Sequence, residues 1–97
     1  MRLIEVKITN QGIRMKGHAG RMGSDGIDRA CTAVSALTCN LINSIESLTE
    51  DRIESDMDSG FTEIRWRELS EQGKLLVDSW MIGITAVDDE YHCILFQ

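Results

Sequence analysis

The chain has no proline, only three cysteines, and no stretch of 18 consecutive apolar residues among its 97. The missing apolar run excludes a membrane-spanning helix. The N-terminus alternates polar with apolar residues and shows none of the charged region, apolar stretch and cleavage site of a secretory signal, so a cytoplasmic protein is expected. Cys31, Cys39 and Cys93 are odd in number and have no metal-ligand spacing, which argues against a disulfide framework and a zinc site; reduced thiols and no cofactor are expected. A basic excess is lacking too. With 10 Lys and Arg against 16 Asp and Glu, the formal charge of −6 argues against a nucleic-acid binder, which needs a concentrated basic face to displace counterions. Such acidity suits a basic protein partner, or serves solubility alone. Gly17, Gly20, Gly23 and Gly26 match neither G-x-x-x-x-G-K-[ST] nor a strand-linked G-x-G-x-x-G, so no phosphate-binding loop is expected. There is no repeat, low-complexity tract or linker. A chain that is 42% hydrophobic reads as one domain over 1–97, near the size where a homodimer often supplements a modest core.

What is present is orderly. Ile4, Val6 and Ile8 alternate with polar neighbours, as do Ile13 and Met15, around Asn10-Gln11-Gly12: an opening β-hairpin. Gly17 to Gly26 carries four glycines and no periodicity, which marks a mobile loop or lid. From Ile27, the residues Ile27, Ala30, Val34, Leu37, Leu41, Ile45 and Leu48 recur at intervals of three and four, predicting a helix of about six turns buried along one stripe. Arg52 to Met57 and Phe61 to Arg67, around Asp58-Ser59-Gly60, predict a second hairpin with Ile64 and Trp66 on one face. Ser70 can cap a second helix with the stripe Leu76, Trp80, Ile84, Val87 and Tyr91, weakened by Gly73 and Gly83. Asp88-Asp89-Glu90 oppose its dipole and should stop it, and His92 to Phe96 reads as a closing strand. The order β-β-α-β-β-α-β predicts an α+β fold, a two-layer sandwich with both helices on one face of a largely antiparallel sheet. Trp66 and Trp80 fall on core faces.

The residues with chemistry in them cluster early. A histidine at the exit of a strand and a thiol at the head of a helix, joined by a glycine-rich loop, can serve as base and nucleophile. If Asp28 is the N-cap, Cys31 is the third helical residue, where free N–H groups and the dipole favour an anionic sulfur. Ser24 or Asp25 is the competing cap and would move Cys31 into the second turn. The Asp28 carboxylate, if close, opposes ionisation. On a helical wheel Cys31 lies at the edge of the apolar stripe, with Asp28 and Ser35 toward the polar flank, so the thiol can face a cleft or simply fill the core. Ser35 can also bond back to a helix carbonyl. Strict alternation puts His18 on the Arg14 and Lys16 face, away from the helices, unless the strand has ended by Gly17. His92 and Cys93 point to opposite faces and read as structural. Cys39, eight residues beyond Cys31 and roughly 12 Å along a helix, is too distant to act as a resolving thiol.

The string Gly17-His18-Ala19, followed by Gly26-Ile27-Asp28-Arg29-Ala30-Cys31-Thr32-Ala33-Val34-Ser35-Ala36, resembles the signature of the bacterial ribosomal-processing cysteine proteases. That family pairs G-H-A with G-x-D-x-x-C-x-x-x-S. Ile42-Asn43-Ser44-Ile45-Glu46 is similar to its helix end, and Gly60-Phe61 to its second-hairpin turn, so the resemblance spans essentially the whole chain. It implies a homodimeric endopeptidase that removes the N-terminal extension of ribosomal protein L27, cutting after a hydrophobic, phenylalanine-containing motif that ends in a small residue. Phage relatives imply a capsid or scaffold protein as substrate instead. By position, Cys31 is implied as nucleophile and His18 as base and then acid. Asp28, Ser35 and Gly17 are implied in support, with Gly20, Gly23 and Gly26 in a substrate-gating loop. Arg29-Ala30 and Thr32 depart from the family's usual aliphatic pair and alanine, which bears on the substrate rather than the chemistry. The competing class is a noncatalytic acidic adaptor dimer that binds a basic protein.

Overall fold

The computed structural model describes residues 3–97 and has the expected order of elements. Strands β1 (Ile4–Thr9) and β2 (Gly12–Gly17) form the first hairpin, helix α1 spans Arg29–Leu48, β3 (Ile53–Asp58) and β4 (Phe61–Trp66) form the second hairpin, and helix α2 (Glu71–Tyr91) leads to β5 (Ile94–Phe96). The sheet order is β3-β4-β2-β1-β5, antiparallel throughout except where β5 runs parallel to β1. Alternation does what period two requires: Ile4, Val6, Ile13, Met15, Ile64 and Trp66 point to the core with Ala30, Val34, Leu41 and Ile45 of α1 and Trp80, Ile84 and Val87 of α2. Both indoles are buried and keep a partner, Trp66 Nε1 on the Asn10 carbonyl at 2.8 Å and Trp80 Nε1 on Thr38 Oγ1 at 3.2 Å. The other face of the sheet carries paired charges, Arg14 with Glu63 and Arg65 with Asp56 and Glu54 across strands, and Arg65 with Glu63 along β4.

The boundaries depart from expectation at three places, each for a visible reason. α1 begins at Arg29, not Ile27, because Asp28 takes the cap: its Oδ1 accepts the Cys31 N–H at 3.0 Å, and an antiparallel bridge to Met22 keeps Asp28 extended. Ile27 is therefore outside the helix and 49% exposed. The competing cap Asp25 instead accepts the Ile27 N–H and pairs with Arg29. At the far end Leu48 is 71% exposed, off the buried stripe. α2 runs through Asp88-Asp89-Glu90 to Tyr91, capped by His92 in the left-handed conformation. The acids are tolerated because Arg21, from the β2–α1 loop, brings its guanidinium to the carbonyls of Tyr91 and His92. β5 consequently starts at Ile94, after His92 has turned the chain, and the Ile94 N–H is held by Asp88 Oδ1 at 2.9 Å. Gly73 and Gly83, weak points by propensity, are close-packing points: an added Cβ would run into Asp51 at the first and Leu37 at the second.

Candidate active site

The end of the sheet where β2 stops meets the head of α1. Gly17, at φ 106, ends β2 in a backbone region closed to most side chains, and this breaks the alternation that would have turned His18 away. Its N–H donates to the Gly60 carbonyl at 2.9 Å, tying the strand exit to the β3–β4 turn. Gly60, at φ 74, has the imidazole directly above it; an added Cβ would stand 2.7 Å from His18 Nε2. The ring thus occupies space that only glycine leaves.

Opposite stands α1. Cys31 is the third helical residue, partly buried, and its Sγ accepts the Ala19 N–H at 3.3 Å. His18 and Cys31 line one cleft of about 240 Å³, whose walls also include Ser35 and Thr38 of α1 and, from the sheet, Gly17, Met57, Asp58, Gly60 and Phe61. Ser35 is exposed one turn beyond Cys31; the back-bond to a helix carbonyl expected of it is made instead by Thr38, to Val34. No hydrogen bond joins His18 to Cys31 among the described residues. Gly20 and Gly26 adopt positive φ, and the tip closes on itself through Gly23 N–H to the Ile27 carbonyl and Gly26 N–H to the Gly23 carbonyl. None of the three loop glycines lines the cleft.

Electrostatics leave the resting sulfur protonated. Burial pushes the Cys31 thiol up, the Ala19 N–H pulls it down, and the Asp28 carboxylate beside it pushes it up again, with a smaller lowering from the Gly20 N–H. The helix-start N–H that was expected to favour a thiolate is spent on Asp28. Burial pushes the Asp28 carboxyl up, but the N–H groups of Cys31 and Arg21 outweigh it and hold the group below its ordinary range, hence ionised. Sequence reasoning missed Arg21, whose one available signal was an α2 end with three acids and no base. It also missed the wall formed by Met57, Asp58 and Phe61. Among the described residues no cluster of His, Cys, Asp and Glu is arranged to hold a metal ion, and no helix is long and apolar enough to cross a membrane.

A thiol at a capped helix head and an imidazole across a shared cleft are the side chains that cysteine hydrolases employ. The chain belongs to the family of the cysteine protease Prp, whose model matches residues 3–94. No curated protein matches it. It is similar in structure to an essential ribosomal processing protease Prp from S. aureus with a covalently linked product peptide, at TM-score 0.83 and 23% identity, covering 100% of this chain and 98% of that one. The same S. aureus protease with a substrate peptide matches at TM-score 0.79 and 22% identity, covering 100% and 98%. SMU.848 from Streptococcus mutans matches at 0.76 and 27%, covering 98% and 96%.

Proposed function

We propose that this cysteine protease acts in ribosomal processing, as a single domain that removes the N-terminal extension of ribosomal protein L27 in the cytoplasm, with Cys31 as nucleophile and His18 as general base. The observation that carries the reading is the shared cleft, with the sulfur on the helix wall, the imidazole on the strand wall and the Ala19 N–H at 3.3 Å from the sulfur. The thiol passes its proton to His18 as the sulfur attacks the scissile carbonyl, and the Ala19 N–H is placed to receive the oxyanion. His18 then protonates the leaving amine, and a water activated by the same ring hydrolyses the thioester. Asp28 fixes the helix head, Ser35 lines the floor, and Gly17 sets the ring's approach. Closure of the Gly20–Gly26 loop over an extended peptide excludes water and assembles the pair, which spares other proteins. The exposed apolar side chains of the helix layer, Leu48 at 71%, Leu75 at 68% and Ile82 at 74%, support a homodimer.

A phage capsid or scaffold protein is the alternative substrate of the same chemistry. The noncatalytic adaptor is disfavoured by the open approach to the sulfur. The test is mass spectrometry of the enzyme with two peptides, one spanning an L27 extension and one a capsid-protein processing site. Release of the extension with an acyl adduct on Cys31 supports the reading; cleavage of the capsid peptide alone transfers the activity to the viral substrate, and cleavage of neither overturns it.

A further inference from the structure

Arg21 sits in the β2–α1 loop, and its guanidinium reaches across the molecule. Nε and Nη2 donate to the carbonyls of Tyr91 at 3.0 Å and His92 at 2.6 Å. These carbonyls close α2, where the helix dipole is negative and the last turn holds no base, so a cation is favoured there. From that seat Nη1 donates back to the Ala19 carbonyl at 2.6 Å, while the main-chain N–H of Arg21 donates to Asp28 Oδ2 at 3.1 Å. The Ala19 carbonyl and the Gly20 N–H are the two ends of one peptide unit. A cation on the oxygen polarises that unit and strengthens its N–H as a donor. The Gly20 N–H adds a small lowering to both the Cys31 thiol and the Asp28 carboxyl, and its neighbour, the Ala19 N–H, donates to the sulfur.

We propose that Arg21 is a positioning residue for the nucleophile: seated on the C-terminal carbonyls of α2, its guanidinium holds and polarises the Ala19–Gly20 peptide so that the N–H groups of this turn stay aimed at the Cys31 sulfur. The inference rests on the reading of Cys31 as the nucleophile. The charged and titratable groups around that sulfur are Asp28 at the helix cap, His18 at the strand exit, Asp58 on the β3–β4 turn, Cys93 before β5, and Arg21. Of this set Arg21 alone carries a permanent positive charge, and it sets that charge against burial and the Asp28 carboxylate through a peptide bond rather than by direct contact.

The test is the pH dependence of Cys31 alkylation by iodoacetamide in the full chain, read by mass spectrometry so that Cys39 and Cys93 are followed separately. Arg21→Met keeps the aliphatic stem and removes the cation; it should label Cys31 about tenfold more slowly at neutral pH and reach the same plateau rate at high pH, with Arg21→Lys between it and the parent. A rate at neutral pH equal to or above that of the parent overturns the proposal, since that is what a merely loosened loop would give. Continued protection of the buried Cys93 reports the fold. Should Arg21→Met expose Cys93, Arg21→Lys carries the test: slower labelling at neutral pH with an unchanged plateau supports the proposal, and an unchanged profile overturns it. Labelling reads the sulfur whether or not a peptide is cut. An unshifted profile therefore refutes the role of Arg21, whereas a fully active Cys31→Ala enzyme refutes the protease reading.

Discussion

The two helices begin with the same device and use it for opposite ends. At the head of α1, Asp28 accepts the N–H of the third helical residue at 3.0 Å; at the head of α2, Ser70 Oγ accepts that of the third residue at 3.1 Å. Each cap is itself braced, Asp28 by the Arg21 N–H and Ser70 by both carboxylate oxygens of Asp51. The difference lies in the residue being capped. In α2 it is Gly73, buried under Asp51 with no room for a Cβ; in α1 it is Cys31, whose sulfur opens on a cleft with a histidine opposite. A capped helix start is thus structural by default, and becomes a candidate site only when the third residue carries reactive chemistry and the facing wall stands back.

The comparison breaks most visibly at those third positions. Cys31→Ala should abolish peptide cleavage while leaving the melting temperature almost unchanged, because a small partly buried side chain is exchanged for a smaller one. Gly73→Val should do the reverse, costing about 3 kcal/mol of stability by driving a branched side chain into Asp51, with turnover per folded molecule preserved. Thermal melts beside a peptide assay decide both; residual turnover in Cys31→Ala preparations free of contaminating protease would remove the sulfur from the mechanism. Across the cleft, His18→Ala should lower kcat by at least about a hundredfold, the scale of losing a positioned acid or base, and leave peptide affinity much less changed. Unaltered kcat would send the search for a base elsewhere.

The caps give a smaller contrast. Asp28→Ala and Ser70→Ala should each cost about 1 kcal/mol, the usual value of an N-cap. Only the first also removes the charge that pushes the Cys31 thiol up, so Cys31 alkylation at neutral pH should quicken in Asp28→Ala and stay as it was in Ser70→Ala. Equal labelling in the two variants would show that Asp28 acts on the helix alone and not on the sulfur.

This asymmetry was half legible in the sequence. Period-two and period-three-to-four patterns report burial, which is why the order of elements and most core positions could be read from Ile4, Val6, Ile64, Val34 and Trp80. They do not report where a polar side chain intercepts the backbone. Ile27 fits the helical stripe by spacing, yet Asp28, one residue later, takes the cap by accepting the Cys31 N–H and starts the helix only at Arg29. Nor do they report sheet order: the wall made by Met57, Asp58 and Phe61 faces Cys31 because β4 pairs with β2, a pairing between segments far apart in the chain. Arg21 is the extreme case, two of its guanidinium partners lying 70 and 71 residues onward. The acidic end of α2 signalled that a cation was required there without saying which one.

The smallest effect expected separates the two caps by acid. In the folded chain the Asp28 carboxyl is held below its ordinary range by the Cys31 and Arg21 N–H groups, which outweigh its burial, and that of Asp51 by the Ser70 hydroxyl and N–H, against the same opposing burial. A carboxyl with a lower value folded than unfolded binds fewer protons in the native state, so its contribution is complete above the unfolded value and is lost as pH falls through the folded one. Asp25, through the Arg29 side chain, and Glu63, through Arg14, add to the same acid-side decline. Urea unfolding measured from about pH 6 down to about pH 2 should therefore show stability level at first and then falling. Asp28→Asn and Asp51→Asn keep an oxygen acceptor at each cap but remove the titration, so each should flatten part of that fall. The two flattenings should add, since the caps share no hydrogen-bond partner. An acid limb unchanged in both variants would mean that these carboxyls gain nothing from their N–H donors, and the shared logic of the two helix starts would then be geometric only.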